Sequence, residues 1–292
     1  MKFMNNYNNK MKAMHKIAFI TLITVLSAQM SFAQSKSEIS VVASGIFSKL
    51  DYDTQEGYLD QARGGSFGLG YSFYFNTQWA INIGAEYESF KTNLIYSSLQ
   101  LSSDAVDIDG EAFEYRYTAE GYDEEQKLNV INIPLTLQFQ TDGDETKFYA
   151  RVGGQISLIN DAEYSTSIRS LTTSGYYPQY DAELFDPQFM GFGRYNNVSQ
   201  ESQDLAFDTS FAAVVEAGVK REIDNLGGLY IGLFCNYGLT TLNTDTEAAN
   251  LVEYNTENPT DFTANSVLQT DRAEDIRLVS YGIKLRFAIG GY

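Results

Sequence analysis

Hydrophobic and polar residues alternate along eight segments of this chain. In the clearest segment, Ser66 to Phe75, aromatic and aliphatic side chains take every second position, and mostly small or polar side chains lie between them. A period of two is typical of a β-strand with two unlike faces. The alternation recurs at about residues 38–47, 79–91, 131–139, 148–156, 211–220, 229–238 and 279–287. The sequence therefore predicts an all-β chain of eight strands.

The connections between these segments alternate in length. Four are long, at residues 49–64, 92–126, 159–205 and 241–275, and three are short, at residues 76–78, 140–146 and 224–228. Long loops at one end and short turns at the other are typical of a transmembrane up-and-down antiparallel β-barrel, whose apolar face contacts lipid. We therefore predict an eight-stranded outer-membrane barrel with short periplasmic turns, long extracellular loops and both termini on the periplasmic side.

The first 33 residues have the composition of a secretory signal peptide. Lysines precede the apolar run 17–26, and Ala33 ends a small-x-small cleavage site. The apolar run is shorter than the roughly 20 residues that a membrane-spanning helix needs. We expect translation from Met1 or Met14, cleavage after Ala33, and one barrel domain over residues 34–292 with no peptidoglycan-binding domain after it.

Acidic residues dominate the charge of the exported part. Removing residues 1–33 removes four of the 20 basic residues and none of the 38 acidic ones, which leaves a net charge of −22. The four long connections hold 28 of the acidic residues and six of the basic ones, which is the whole excess. So acidic a chain is a poor partner for nucleic acid. We expect a nearly neutral frame with strongly acidic loops outside the cell.

Three strand segments resemble the outer-membrane β-barrel domain family that is widespread in the Bacteroidetes. They are Leu128–Leu137, Phe148–Gly154 and Tyr281–Phe287. The resemblance covers nearly all of residues 37–290. It implies a fold like the small eight-stranded barrels of other Gram-negative bacteria, a place in the bacterial outer membrane, and contact with outer-membrane lipid and lipopolysaccharide. Other outer-membrane or cell-surface proteins are further expected partners, and the resemblance implies no cofactor.

Catalysis is disfavoured by the residues that remain after export. The only histidine lies within residues 1–33, so the mature chain has no Ser-His, Cys-His or histidine-rich zinc site. Outer-membrane enzymes on similar barrels rely on histidine. We therefore expect a non-enzymatic protein that acts through its loops or as a subunit of a larger outer-membrane assembly. A narrow channel for a small solute or ion is the alternative, and a lipid-modifying enzyme is a third, disfavoured one.

Charged side chains are predicted to fill the lumen. The inward faces of the strands carry three acidic and four basic residues, namely Glu86, Glu88, Arg151, Glu216, Lys220, Lys284 and Arg286. An eight-stranded barrel has an interior that side chains can fill, and unpaired charges there would be costly. A paired network that plugs the barrel is the leading interpretation, and a proton or ion path is the other.

Two of the long loops carry candidate binding residues. The second holds the acidic residues Asp104, Asp107, Asp109 and Glu111, which predict either a solvated acidic loop or weak divalent-cation binding, although the spacing departs from that of a calcium loop. The third holds the aromatic residues Tyr176, Tyr177, Tyr180, Phe185, Phe189 and Phe192. Such rings favour contacts with a partner, or they pack the loops over the barrel mouth.

Two single residues carry structural expectations. Pro134 lies inside a predicted strand of a closed barrel, where its missing N–H predicts a local bulge. Cys235 has no second cysteine to pair with and occupies an apolar strand position. We expect it to be a small buried or lipid-facing hydrophobic side chain.

Overall fold

A computed structural model describes residues 37–54, 56–223, 227–242 and 250–291. The side chains of residues 61–63 and 291 are not described, and the predicted signal peptide and its cleavage site lie outside the described residues. In chain order the described strands are β1 (Ser37–Thr54), β2 (Tyr58–Tyr74), β3 (Trp79–Val106), β4 (Ala112–Gln140), β5 (Thr146–Tyr177), β6 (Ala182–Leu184), β7 (Gly193–Asp204), β8 (Ser210–Ile223), β9 (Gly227–Gly238), β10 (Val252–Glu253), β11 (Thr263–Ala264) and β12 (Ala273–Gly291).

Eight of these strands close into a ring. Each pairs antiparallel with the next in the order β1, β2, β3, β4, β5, β8, β9, β12, and β12 returns to pair with β1. The first residue of β1, Ser37, pairs with the last residue of β12, Gly291. Both lie at the end of the ring that carries the short turns. The predicted eight-stranded, up-and-down antiparallel barrel is confirmed. Among the described residues, no helix is long and apolar enough to cross a membrane.

A belt of exposed apolar side chains surrounds the lower part of the ring. Leu69, Val152 and Leu233 are each about half exposed or more, although they lie within paired strands of the ring. Aromatic residues edge the belt. Near the short turns the ring centroids of Trp79 and Phe139 lie 5.0 Å apart, and further exposed rings lie at the opposite border. Cys235 is exposed in this belt, which is the lipid-facing one of the two environments predicted for it. An exposed apolar belt with aromatic borders is what a membrane barrel presents to lipid.

Above the belt the strands continue where long loops were expected. The β3–β4 ladder is antiparallel up to the pair Val106 and Ala112, so most of the predicted loop 92–126 is strand. Likewise β5 continues to Tyr177, and β7 folds back along it, so the loop 159–205 is largely a β-hairpin. We call the upper halves of β3, β4 and β5 together with β7 the extracellular sheet.

The polarity of the two faces reverses in the extracellular sheet. In the belt the inner face is polar and the outer face apolar, but above it the inner face carries buried residues such as Leu94 and Tyr115, and the outer face carries polar ones such as Glu114 and Arg116. The alternation also changes phase at Gly121, whose φ of +62° is a left-handed conformation that favours glycine. The reversed polarity follows from the surroundings, because these strands have water outside rather than lipid.

The fourth long connection fills the inside of this sheet. Within it, β10 and β11 form a small hairpin, and a 3₁₀ turn follows at Val267–Gln269. Buried residues of the segment, including Leu251, Val252 and Val267, join a hydrophobic core with the inner faces of β3, β4 and β5. We call residues 250–270 the core loop.

The bulge predicted at Pro134 is wrong. The register between β3 and β4 is unchanged from the pair Ile83 and Leu135 to the pair Glu86 and Asn132, so no extra residue is inserted there. Only the pairs of Gly84 with Pro134 and of Ala85 with Ile133 are missing from this part of the ladder, and Gly84, which has no side chain, faces the proline ring. The β4–β5 ladder does shift, but between Asn129 and Val130.

Candidate functional site

The lowest layer of the lumen is built around one buried ion pair. Lys220 Nζ lies 2.8 Å from Glu38 Oε1, and both side chains are almost fully buried. Tyr230 donates to the other carboxylate oxygen at 2.6 Å, and Tyr74 and Tyr230 share a hydrogen bond of 2.9 Å. Glu38 is absent from the predicted network, although it begins the first predicted strand and the alternation there places it on the inner face.

The next layer contains two further ion pairs. Lys284 donates to both oxygens of Glu86 at 2.9 and 3.0 Å. Arg151 lies 4.0 Å from Glu216, and it also donates to Gln138 and Asn82 at 2.7 and 2.8 Å. One carboxylate and two side-chain amides thus hold the Arg151 guanidinium in place across the lumen.

Two predicted members of the network have no ionic partner among the described residues. Glu88 accepts a hydrogen bond of 2.6 Å from Asn132. Arg286 stacks over the ring of Tyr230 at 3.6 Å from the centroid, and its Nη2 lies 3.3 Å from Gln138 Oε1. Its Nε and Nη1 find no acceptor among the described groups. An aromatic face stabilises a cation where no carboxylate is near.

These side chains leave little free space in the lumen. The cavity between Glu86, Arg151, Glu216 and Lys284 has a volume of about 30 Å³. That is room for a water molecule or two but for no hydrated solute. All seven predicted lumen residues thus lie inside the ring, and together with the tyrosines they fill it.

A second buried carboxylate lies above the belt and holds the core loop. Glu124, on β4, is almost completely buried. One of its oxygens accepts from Ser266 Oγ and Gln126 Nε2, and the other accepts from Tyr122 Oη at 2.6 Å and from the backbone N–H of Val267 at 2.9 Å. Burial raises the pKa of this carboxyl above its ordinary value, and the four hydrogen bonds oppose the rise. The sequence pattern predicts a loop at residues 92–126 and does not single out Glu124.

The four acidic residues of the second loop do not converge on a metal site. Asp107 is buried, and its Oδ1 accepts from the backbone N–H groups of Asp109 and Glu111, while its Oδ2 accepts from Tyr177 Oη at 2.9 Å. Asp104 lies on β3 below this turn. Over the part of the chain that the structure describes, no group of three or more metal-ligating side chains is placed to hold an ion. Asp107 therefore shapes the turn.

The six aromatic residues of the third loop divide into two sets. Tyr177 and Phe192 are buried and pack against Phe113 in the hydrophobic core. Tyr176 is partly exposed under the guanidinium of Arg116, 4.3 Å from the ring centroid. Tyr180, Phe185 and Phe189 are 63%, 64% and 74% exposed. The loop thus contributes both to packing and to an exposed aromatic surface.

Comparisons with known proteins bear on this architecture. The family described as "Outer membrane protein beta-barrel domain" matches residues 32–242. No curated protein matches the chain.

Several solved structures are similar at low sequence identity. Neisserial surface protein A is 11% identical, with 86% of this chain and 96% of that chain covered and a TM-score of 0.36. Ail, the attachment invasion locus protein of Yersinia pestis, is 11% identical, with 86% and 99% covered and a TM-score of 0.32. The outer membrane protein OprG from Pseudomonas aeruginosa is 11% identical, with 87% and 97% covered and a TM-score of 0.34.

Proposed function

Because this chain belongs to the outer membrane protein β-barrel domain family and is an integral protein of the bacterial outer membrane, we propose that it is a non-enzymatic contact protein. It acts at the cell surface through the extracellular sheet. The observation that carries the proposal is the length of β3, β4 and β5, at 28, 29 and 32 residues. About 9–11 residues suffice for a strand to cross a bilayer.

The sheet reaches far beyond the membrane. From Tyr87, at the upper border of the belt, to Val106 the strand runs 19 residues, which at about 3.3 Å each is roughly 60 Å of chain measured along the strand. The buried core loop supports the sheet from inside, so it is a folded structure rather than a mobile loop. A rigid projection costs little conformational entropy when it binds a partner.

The filled lumen argues against the channel alternative, which planar-bilayer recording tests directly. We expect the purified barrel to give no conductance steps above the lipid background, because paired side chains leave a cavity of only about 30 Å³ between them. The variant Arg151→Ser/Glu216→Ser removes one cation and one anion from that layer and serves as the matched control. Discrete steps from the unmodified protein would contradict a plugged barrel and favour conduction of a small ion.

Site-specific photo-crosslinking on intact cells tests the surface-contact function. The crosslinker is placed at Thr172 on the outer face of the extracellular sheet, at Leu233 in the lipid-facing belt, or at Asp144 in a short turn, all of which are exposed. We expect adducts with other molecules of the cell surface at Thr172 and none at Asp144. Protein adducts at Leu233 alone would instead favour a subunit held laterally in a membrane assembly, and adducts at none of the three positions would count against both.

A further inference from the structure

We propose that the tip of the extracellular sheet is a docking surface for a cationic, amphipathic segment of another protein. The tip comprises residues 104–114, which form the β3–β4 turn and its flanks, and residues 176–190, which are the end of β5 and the segment after it. This inference rests on the proposed function and names the part of the sheet and the chemistry of the partner.

Charge at the tip has one sign. The two segments contain eight acidic residues and no lysine or arginine. The nearby Arg116 is already engaged, at 2.6 Å from Glu114 and 3.1 Å from Glu183. By contrast the side chains of Asp104, Asp109 and Asp186 accept no hydrogen bond and form no ion pair with any described residue. A concentrated negative potential of this kind attracts a basic partner and repels an acidic one.

Apolar side chains are exposed among these carboxylates. Ile108 at the turn is 68% exposed, and Tyr180, Phe185 and Phe189 are exposed to a similar or greater extent. They lie above the membrane belt, so lipid does not cover them. Aromatic anchors within a polar rim are the usual composition of a protein interface.

The surface of the tip is concave in two places. One concavity, of about 380 Å³, is lined by Asp109, Glu111, Tyr180, Leu184 and Met190 among others. The second, of about 490 Å³, is lined by Asp104, Val106, Glu114 and Pro178 among others. In both, carboxylates stand beside apolar side chains. A segment that alternates apolar and basic side chains matches this lining, and an apolar segment without basic residues would leave the carboxylates desolvated and unpaired.

Two hydrogen bonds connect the two segments of the tip. Tyr180 Oη donates to Glu111 at 2.8 Å, which ties the third loop to the β3–β4 turn. Tyr177 Oη donates to Asp107 beneath it. The two segments therefore form one surface, with its aromatic and acidic groups already placed.

The test uses the full barrel in nanodiscs of zwitterionic phosphatidylcholine, with empty nanodiscs subtracted. The probe is an 18-residue fluorescent amphipathic peptide of lysine, leucine and tryptophan, and its counterpart carries glutamate in place of lysine. We expect the lysine peptide to bind, with an affinity that falls as salt rises, and the glutamate peptide not to bind.

Two tip variants and one matched control locate the binding. We expect Phe185→Ser/Phe189→Ser to weaken binding of the lysine peptide at least tenfold, and Asp104→Asn/Asp109→Asn/Asp186→Asn to weaken it similarly and to reduce its salt dependence. The control Glu201→Gln/Asp204→Asn/Asp208→Asn removes the same number of exposed charges from β7 and the segment after it. Its affinity should stay within twofold of the unmodified protein.

Equal weakening by the control would show non-specific attraction to an acidic protein and would overturn the proposal, as would binding of the glutamate peptide. Either of these two results would contradict the docking surface alone, and the surface-contact function would still be supported if Thr172 formed adducts on cells. Conversely, peptide binding at the tip without any adduct from the extracellular sheet would support the docking chemistry and contradict the proposed function.

Discussion

Replacing Lys220 with methionine should destabilise the barrel by about 3–5 kcal/mol, the usual cost of removing one partner of a buried ion pair. Lys220 and Glu38 have almost no exposed surface and lie 2.8 Å apart. Methionine keeps most of the volume of the lysine side chain but leaves the Glu38 carboxylate in a closed lumen, with Tyr230 still donating to it. The free energy of unfolding can be measured by urea titration in lipid vesicles, with Trp79, the single tryptophan, as the fluorescent reporter.

Two further variants make that result specific. The double variant Lys220→Met/Glu38→Gln removes both charges and should recover most of the lost stability. The ion pair between Arg221 and Glu145 serves as the external control, because its side chains are 61% and 75% exposed. Arg221→Met should therefore have far less effect, since water already screens that pair. If Lys220→Met were as mild as Arg221→Met, the buried pair would not be needed to hold the lumen together.

Glu124→Ala should release the core loop from the inside of the extracellular sheet. Without the carboxylate, the hydroxyl of Ser266 and the backbone N–H of Val267 lose their acceptor, whereas Gln126 Nε2 still donates to Tyr52 and Tyr122 Oη still lies 3.5 Å from the carbonyl oxygen of Asn265. Each buried donor left unpaired costs about 1–3 kcal/mol, so the loop should become undocked for much of the time. Hydrogen exchange of the Val267 and Leu268 amides measures this, with Asp123→Ala, an exposed neighbour on the same strand, as the control.

The docking of the core loop should also depend on pH. Burial raises the pKa of Glu124 in the folded state above its ordinary value of 4.5, so the docked state holds the proton more tightly than the undocked state does. The resulting stabilisation is fully present below the ordinary pKa and is lost as the pH rises through the raised one. Protection of the Val267 amide, corrected for intrinsic exchange, should therefore be greater in mild acid than at neutral pH.

Glu124→Gln separates the two roles of this side chain. The amide keeps one acceptor oxygen and cannot ionise, so the core loop should stay docked and its protection should no longer vary with pH. Protection that fell with acidification in the unmodified protein would show that the ionised carboxylate, with its four donors, is the more stable buried form.

The extracellular sheet shows where sequence reasoning stopped. A barrel strand has an apolar outer face and a polar inner face only where lipid surrounds the barrel. In β3 and β4 above the belt the polarity is reversed and the phase shifts at Gly121, so the sequence pattern predicts a loop at residues 92–126. A search for the same period with the faces exchanged would have found the buried aromatic residues Tyr115 and Tyr117.

The sequence by itself determined the ring of eight strands, its direction across the membrane and the residues of its inner face. It could do so because side chains alternate with a period that depends on the backbone alone, and because lipid and lumen demand opposite polarity. Only the tertiary structure decided which charges meet, since Lys220 and Glu38 are 182 positions apart. It likewise decided that Glu124 holds the core loop and that the acidic and aromatic segments share one tip. Such pairings depend on the register of strands around a closed ring, which local alternation does not encode.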